Sequence, residues 1–184
     1  KKGSIFGFEA HIDIDGRAIM NRVRSERDRF VGFVNSALDE HFDKGRLQRG
    51  RGRLIGPHTL RVCDPSGTDF AQLHFEALVV ATGSSPWVPQ AYRSLGDLLL
   101  DNASIFELED IPESVFVVGP GVIGLELGQA LHRLGSRVRI VGRSGSVGPL
   151  RDPKMRRHAI EAFSEELDLH TQIGDLTVER RPGG

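Results

Sequence analysis

Three glycines stand in the segment Val117-Val118-Gly119-Pro120-Gly121-Val122-Ile123-Gly124-Leu125-Glu126. A lone G-x-G-x-x-G is a weak signal, but its setting here is specific. The strand pattern Ser114–Val118 precedes it, a helical pattern over residues 122–134 follows, and a second strand, Arg137–Val141, completes a β-α-β unit. In such a unit Gly119 permits a tight turn, Gly121 lets a diphosphate approach the backbone, and Gly124 lets the helix lie close on the strand. The free N–H groups and the dipole at the helix start then face the diphosphate. The chemistry this implies is the holding of a dinucleotide. The plainer alternative is a strand–turn–helix cluster of glycines.

The end of the second strand selects among dinucleotides. A carboxylate there takes the ribose hydroxyls of NAD, and a nearby arginine accommodates the extra phosphate of NADP. Here the strand ends in Gly142-Arg143, with no Asp or Glu, and Arg151 follows. Either arginine could hold a phosphate by charge-assisted bonds. The pattern leans towards NADP; the alternative is that both arginines are solvated loop charges.

The elements that must position these residues can be read from periodicity. Residues 17–42 form a helical pattern with Ile19, Val23, Phe30, Val34, Leu38 and Phe42 on one face. Thr59–Cys63 and residues 70–76, joined by Asp64-Pro65-Ser66-Gly67, read as an antiparallel hairpin. Residues 77–81 (ALVVA), ending in Thr82-Gly83, carry the signature of a strand buried on both faces. Residues 84–112 read as a proline-bearing connector in which Trp87 and Tyr92 pack against a domain face. The run Ser114–Val118 is expected to be a buried strand, and residues 142–150 a flexible, glycine-rich loop. Asp152-Pro153 reads as an N-cap and first helical residue, with Met155, Ala159, Phe163 and Leu167 inward. The tail has room for one more strand. The fold class expected is α/β.

The 184 residues carry 24 Lys+Arg against 25 Asp+Glu, a formal net charge of -1. Such balance excludes a general nucleic-acid binder. No apolar run is long enough to cross a bilayer. The basic run Lys44, Arg46, Arg49, Arg51 and Arg53 lacks interleaved aromatics for base stacking, and a solvated loop is its plainer reading. Cys63 is the single cysteine, so two-thiol chemistry is outside this chain's reach; an ordinary half-buried thiol is expected there.

Together these segments resemble the flavoprotein disulfide reductases of the pyridine-nucleotide family, in particular the branch of dihydrolipoamide dehydrogenase and its bacterial relatives. Residues 119–128 (GPGVIGLELG) are similar to the family's nicotinamide-nucleotide motif. Residues 79–86 (VVATGSSP) resemble its second flavin motif, residues 50–62 (GRGRLIGPHTLRV) its G-x-A-x-F segment, and residues 104–118 its crossover between flavin and nicotinamide domains. The resemblance implies a partial FAD-binding domain over residues 1–112 and the first part of a Rossmann-like NAD(P)-binding domain over residues 113–184. It implies FAD and NAD(P) as cofactors. Gly52 would touch the adenine of FAD, and Thr82 and Gly83 would meet the FAD adenosine. Gly119, Pro120, Gly121, Val122, Ile123 and Gly124 would hold the nicotinamide cofactor's diphosphate, and Glu126 would approach its nicotinamide end. Gly142 stands where NAD-using members carry an acid, and Arg143 where glutathione reductases carry a phosphate-binding arginine. Val122 departs from the tyrosine that covers the flavin in many members.

The family's redox cysteine pair and its His–Glu base have no counterpart in this sequence. The chain therefore reads as an internal fragment with parts of two cofactor sites, itself inactive. The parent is expected to pass electrons between dihydrolipoamide, FAD and NAD(P), on a small-molecule or lipoyl-type dithiol, as a homodimer without nucleic-acid or membrane partners. The competing readings are an NADPH-dependent disulfide reductase, an NAD(P) transhydrogenase, and a non-catalytic nicotinamide-nucleotide-binding module. A cytoplasmic location is expected from the thiol chemistry of that compartment.

Overall fold

A computed structural model describes Gly7 and residues 12–180. Its elements in chain order are α1 (Gly16–Asp43), β1 (Arg51–Gly56), β2 (Thr59–Cys63), β3 (Asp69–His74), β4 (Ser114–Val118), α2 (Val122–Arg133), β5 (Arg137–Val141), α3 (Pro153–Ser164) and β6 (Asp168–His170). Short 3-10 turns lie at Gln90–Leu98, broken at Gly96, and at Ser104–Glu107. The described residues group into two compact units, those up to residue 24 together with 86–180, and residues 25–85.

The larger unit is built on a parallel sheet in the order β4-β5-β6. Ser114 pairs with Arg137 and Val118 with Val141; Arg139 pairs with Asp168 and Val141 with His170. Parallel neighbours need a crossover, and α2 supplies the one between β4 and β5. β5 is the central strand, and Val138, Ile140 and Val141 are buried along it while Arg137 and Arg139 face out. Leu125 and Leu131 of α2, Val147 and Leu167 complete the core around Ile140. Helix and strand meet closely because Gly128 carries no side chain: a Cβ there would stand 2.8 Å from Ile140 Cδ1. The buried Ser136 hydroxyl donates to the Pro112 carbonyl and ties the start of β5 to the approach of β4.

The α/β fold class expected from the sequence is the one observed, and several elements match within a residue. Asp152 caps α3, its carboxylate accepting from the Lys154 and Met155 N–H groups, with Pro153 as the first helical residue. The C-terminal strand is β6. Other expectations need correction. Ser114–Val118 is a half-open strand: as the edge of a three-stranded sheet it turns Val115 and Val117 towards the core and leaves Phe116 and Val118 exposed. Met155 lies exposed rather than inward, because its position in the first turn of α3 precedes the part of the helix covered by the core. Trp87 is 80% exposed and covers no domain face, whereas Tyr92 is half-buried.

The smaller unit is an antiparallel sheet in the order β1-β2-β3, with Leu54 opposite Leu60 and Leu60 opposite Leu73. The hairpin turn closes through Asp64, whose carboxylate accepts from the Thr68 N–H at 2.9 Å and the Ser66 hydroxyl at 2.6 Å. The hydrogen bond from Ser66 and then that from Thr68 hold its pKa below the usual carboxylate value. β1 begins in the last residues of the basic run and was not expected to pair; its alternating Arg51 and Arg53 are exposed on the sheet. The expected strand over residues 77–81 is absent. These residues have no regular secondary structure, with Val79 88% and Val80 71% exposed. A strand is defined by a ladder partner, and β1, β2 and β3 bond only one another. The helical pattern over residues 17–42 is realised as α1. Met20 is buried and Ile19 and Val23 are half-buried, but Phe30, Val34, Leu38 and Phe42 are exposed along the same helix.

Candidate functional site

The turn between β4 and α2 is held from below by its own backbone. The Gly119 N–H donates to the Val141 carbonyl at 2.8 Å, so the turn is anchored on the end of β5. Gly119 has φ +110°, a conformation that L side chains rarely adopt. A Cβ at Gly124 would collide with the Gly119 carbonyl oxygen and crowd Val117 Cγ1 at 3.2 Å, so only glycine lets α2 approach β4 this closely. Gly121 is the N-cap of α2, and no side chain caps its first turn. The first N–H groups of an α-helix have no partner within the helix. Those of Val122, Ile123 and Gly124 therefore point out of the helix start. Space above them is open: Gly121, Val122 and Ile123 are exposed, and a Cβ at Gly121 would meet nothing within 4 Å.

This geometry passes a test of fit for a dinucleotide diphosphate. Gly119 must be glycine for its positive φ, and Gly124 for its close approach to the Gly119 carbonyl. The third, Gly121, is not required by the fold and leaves the backbone bare where an anion would sit. Glu126 lies exposed one turn further along α2.

The end of β5 leads into residues 142–150. Gly142 is buried; its N–H donates to the His170 carbonyl and its carbonyl accepts from the Ile173 N–H, both at 2.8 Å. A Cβ at Gly142 would stand 2.5 Å from Pro120 Cδ. Arg143 and Arg151 are exposed, and Arg156 donates to the Arg151 carbonyl at 3.1 Å. The glycine-rich segment was expected to be a free loop. Instead the Gly145 N–H bonds the Thr171 carbonyl at 2.9 Å, the Gly148 N–H bonds the Pro120 carbonyl at 2.8 Å, and Val147 is 1% exposed. Apolar burial and backbone bonds outweigh the permissiveness of its glycines.

The structure therefore brings together Gly119, Pro120, Gly121, Val122, Ile123, Gly124, Gly142 and Arg143 around one turn. The residues assigned to the flavin are not gathered in this way. Gly52 lies in β1 opposite Val62, and the nearest atoms to a Cβ there are those of Leu60. Thr82 and Gly83 lie in exposed chain without regular secondary structure; Gly83 has φ +69°, and a Cβ on it would meet nothing within 4 Å. The β4–α2 turn thus has room and free N–H groups for a dinucleotide's diphosphate, whereas Gly52, Thr82 and Gly83 form no assembled cradle among the described residues.

Two supports escaped the sequence reading. Gly148 anchors the loop to Pro120, and nothing in its local pattern marks it out. Gly128 faces β5 one turn after Gly124, and the i, i+4 spacing of those two glycines was a usable signal. Behind the site, Glu166 accepts from Arg133 Nε at 2.6 Å and from Gln129 Nε2 at 2.7 Å, joining α2 to the residues before β6. The Arg133 hydrogen bond, opposed by partial burial and helped by Gln129, brings the Glu166 carboxyl down to about 2. Cys63 is the half-buried thiol expected; its Sγ–H donates to Asp69 at 3.0 Å, and that bond pushes its pKa up. In the basic run Arg49 pairs with Asp39 at 2.7 Å. No helix among the described residues is long and apolar enough to cross a membrane.

A family model, described as pyridine nucleotide-disulphide oxidoreductase, matches residues 31–181. A soluble pyridine nucleotide transhydrogenase of Mycobacterium bovis is 32% identical over 134 residues, which is 73% of this chain and 26% of that protein. A dihydrolipoyl dehydrogenase 3 of Pseudomonas putida is 27% identical over 161 residues, 85% of this chain and 34% of that protein. Among solved structures, LpdA from Mycobacterium tuberculosis superposes with a TM-score of 0.77 at 24% identity, covering 100% of this chain and 40% of that one. The HOCl-induced flavoprotein disulfide reductase RclA from Escherichia coli superposes with a TM-score of 0.68 at 18% identity, covering 84% of this chain and 35% of that one. The chain thus spans between about a quarter and two fifths of the length of these relatives.

Proposed function

The chain belongs to the pyridine nucleotide-disulphide oxidoreductase family, and from that premise we propose that it supplies the nicotinamide-diphosphate turn and part of the flavin site of an FAD- and NAD(P)-dependent oxidoreductase. One observation carries this reading: an uncapped α2 N-terminus with open space over Gly121, behind a Gly119 turn at φ +110°. In this reading the Gly121, Val122, Ile123 and Gly124 N–H groups hold the diphosphate, aided by the dipole of α2. Pro120 contributes no N–H and instead shapes the turn. Arg143 binds the additional phosphate of NADP by charge-assisted hydrogen bonds. Glu126 borders the nicotinamide end. Gly52, Thr82 and Gly83 border the adenosine of FAD. Residues 1–112 then serve the flavin and residues 113–184 the nicotinamide nucleotide, a division of duties rather than of compactness.

FAD, where bound, supplies two-electron exchange with the nicotinamide ring and with a second partner. We assign a dithiol–disulfide couple of the dihydrolipoyl type as that partner, in a cytoplasmic, dimeric oxidoreductase. None of the described residues is assigned to the dithiol. A second reading, hydride exchange between nicotinamide nucleotides, is favoured by the 32% identity to a protein named as a transhydrogenase. An NADPH-dependent reductase of another disulfide shares the same turn.

The test is made on the polypeptide in which this sequence occurs. Anaerobic NADPH should bleach its flavin absorbance, and lipoamide should restore it. Restoration by a nicotinamide analogue and not by lipoamide would replace the dithiol reading with the transhydrogenase. A polypeptide that binds the nucleotide but no flavin would overturn the oxidoreductase reading and leave a non-catalytic binding module.

A further inference from the structure

The end of β5 is closed to side chains by one ring. Gly142 is not among the residues with positive φ, so its backbone would accept any side chain. What it lacks is room: a Cβ would stand 2.5 Å from Pro120 Cδ and 2.6 Å from Pro120 Cγ. Real Cβ contacts essentially never come that close. The third neighbour, the Thr171 carbonyl oxygen at 3.3 Å, could give way by a few tenths of an ångström. Pro120 cannot yield as easily. It is buried, its ring fixes its own φ, and its carbonyl accepts the Gly148 N–H at 2.8 Å. It also sits between Gly119, bonded to Val141, and the N-cap Gly121.

We propose that Pro120 is a specificity-determining residue: its ring occupies the space beside Gly142 and thereby bars a ribose-binding carboxylate from the end of β5. This rests on the functional reading above and goes beyond it. The nucleotide selected is then the one bearing a 2′-phosphate, because the acidic alternative is excluded sterically and the exposed Arg143 comes next in the chain. The exclusion is mutual. Removing the ring should open position 142, and filling position 142 should displace the ring and the turn it belongs to.

Two measurements on the intact chain test this. The first is a thermal double-mutant cycle of Pro120→Gly and Gly142→Ala, which needs no ligand. Gly142→Ala alone should lower Tm by roughly 5 °C, as expected for one overpacked methyl in a protein of this size. Added to Pro120→Gly, the same change should cost almost nothing. The second is the ratio of Kd values for NADH and NADPH. Gly142→Asp alone should not move the preference towards NADH. Pro120→Gly with Gly142→Asp should move it by about tenfold or more, the size of one charge-assisted hydrogen bond. A Gly142→Ala penalty that is absent, or the same with and without Pro120, overturns the inference while leaving the functional reading intact. So does a full switch of preference by Gly142→Asp alone. Failure of the unaltered chain to bind either nucleotide overturns the functional reading and this inference with it.

Discussion

Arg143 is the exposed cation at the mouth of β5, one residue beyond a glycine that cannot carry an acid. Replacing it with alanine should weaken NADPH binding about tenfold and NADH binding little, since only the former has a phosphate for a charge-assisted bond. Parallel calorimetric titrations with both nucleotides read this directly, and equal losses for the two would remove the arginine from the selection. Glu166 makes a different kind of prediction. Its folded pKa of about 2 lies below the ordinary value of 4.5, chiefly through Arg133. A carboxyl depressed in the folded state contributes stability that is present above its unfolded pKa and lost as pH falls through the folded one. The contribution should therefore fade between about pH 4.5 and pH 2. Urea midpoints across that window should fall less steeply for Glu166→Gln than for the unaltered chain.

At the scale of elements, β4, α2 and β5 stand or fall on close approach. A Gly124→Ala change places a methyl group against the Gly119 carbonyl and should destabilise the larger unit by about 1–3 kcal/mol, measured by denaturant unfolding. Asp152→Ala should cost about 1 kcal/mol through loss of the α3 cap. These elements were legible in the sequence because their signals are local. The bounds of Ser114–Val118 and Arg137–Val141, the Asp152-Pro153 start and the glycine turn all follow from a few adjacent residues. Residues 77–81 show the limit of that logic. Their apolar run describes what a strand would need on both faces, but not whether a neighbour bonds to it. β1 failed in the opposite sense: Arg51 and Arg53 read as a basic loop, yet Leu54 and Gly52 sit in register with Leu60 and Val62. Pairing is a property of two segments, and neither signal contained the second. The pinned loop over residues 142–150 was illegible for the same reason, since Thr171 and Pro120 supply its bonds.

At the scale of the molecule, the residues proposed for the two cofactors are unequally assembled. The turn proposed for the nicotinamide nucleotide is built within a single unit from β4, α2 and β5. Gly52, Thr82 and Gly83 are present but not gathered, and the latter two lie in exposed chain. The chain should accordingly bind a nicotinamide nucleotide and lose added FAD on gel filtration. Tight stoichiometric flavin would contradict that ordering. The central claim, that the α2 N-terminus holds the diphosphate, can be separated from folding at Gly121. Its φ of -74° suits any residue, and a Cβ there would meet nothing within 4 Å. A valine at this position should leave the circular dichroism unchanged and lower Tm by only a few degrees, through its poorer N-cap, while occupying the diphosphate's place. The measurement is calorimetric titration of NADPH into the unaltered chain and into Gly121→Val. One site per chain is expected, with affinity lost by about a hundredfold or more in the variant as the cradle's hydrogen bonds go unmade. Equal affinity in the two proteins would contradict it.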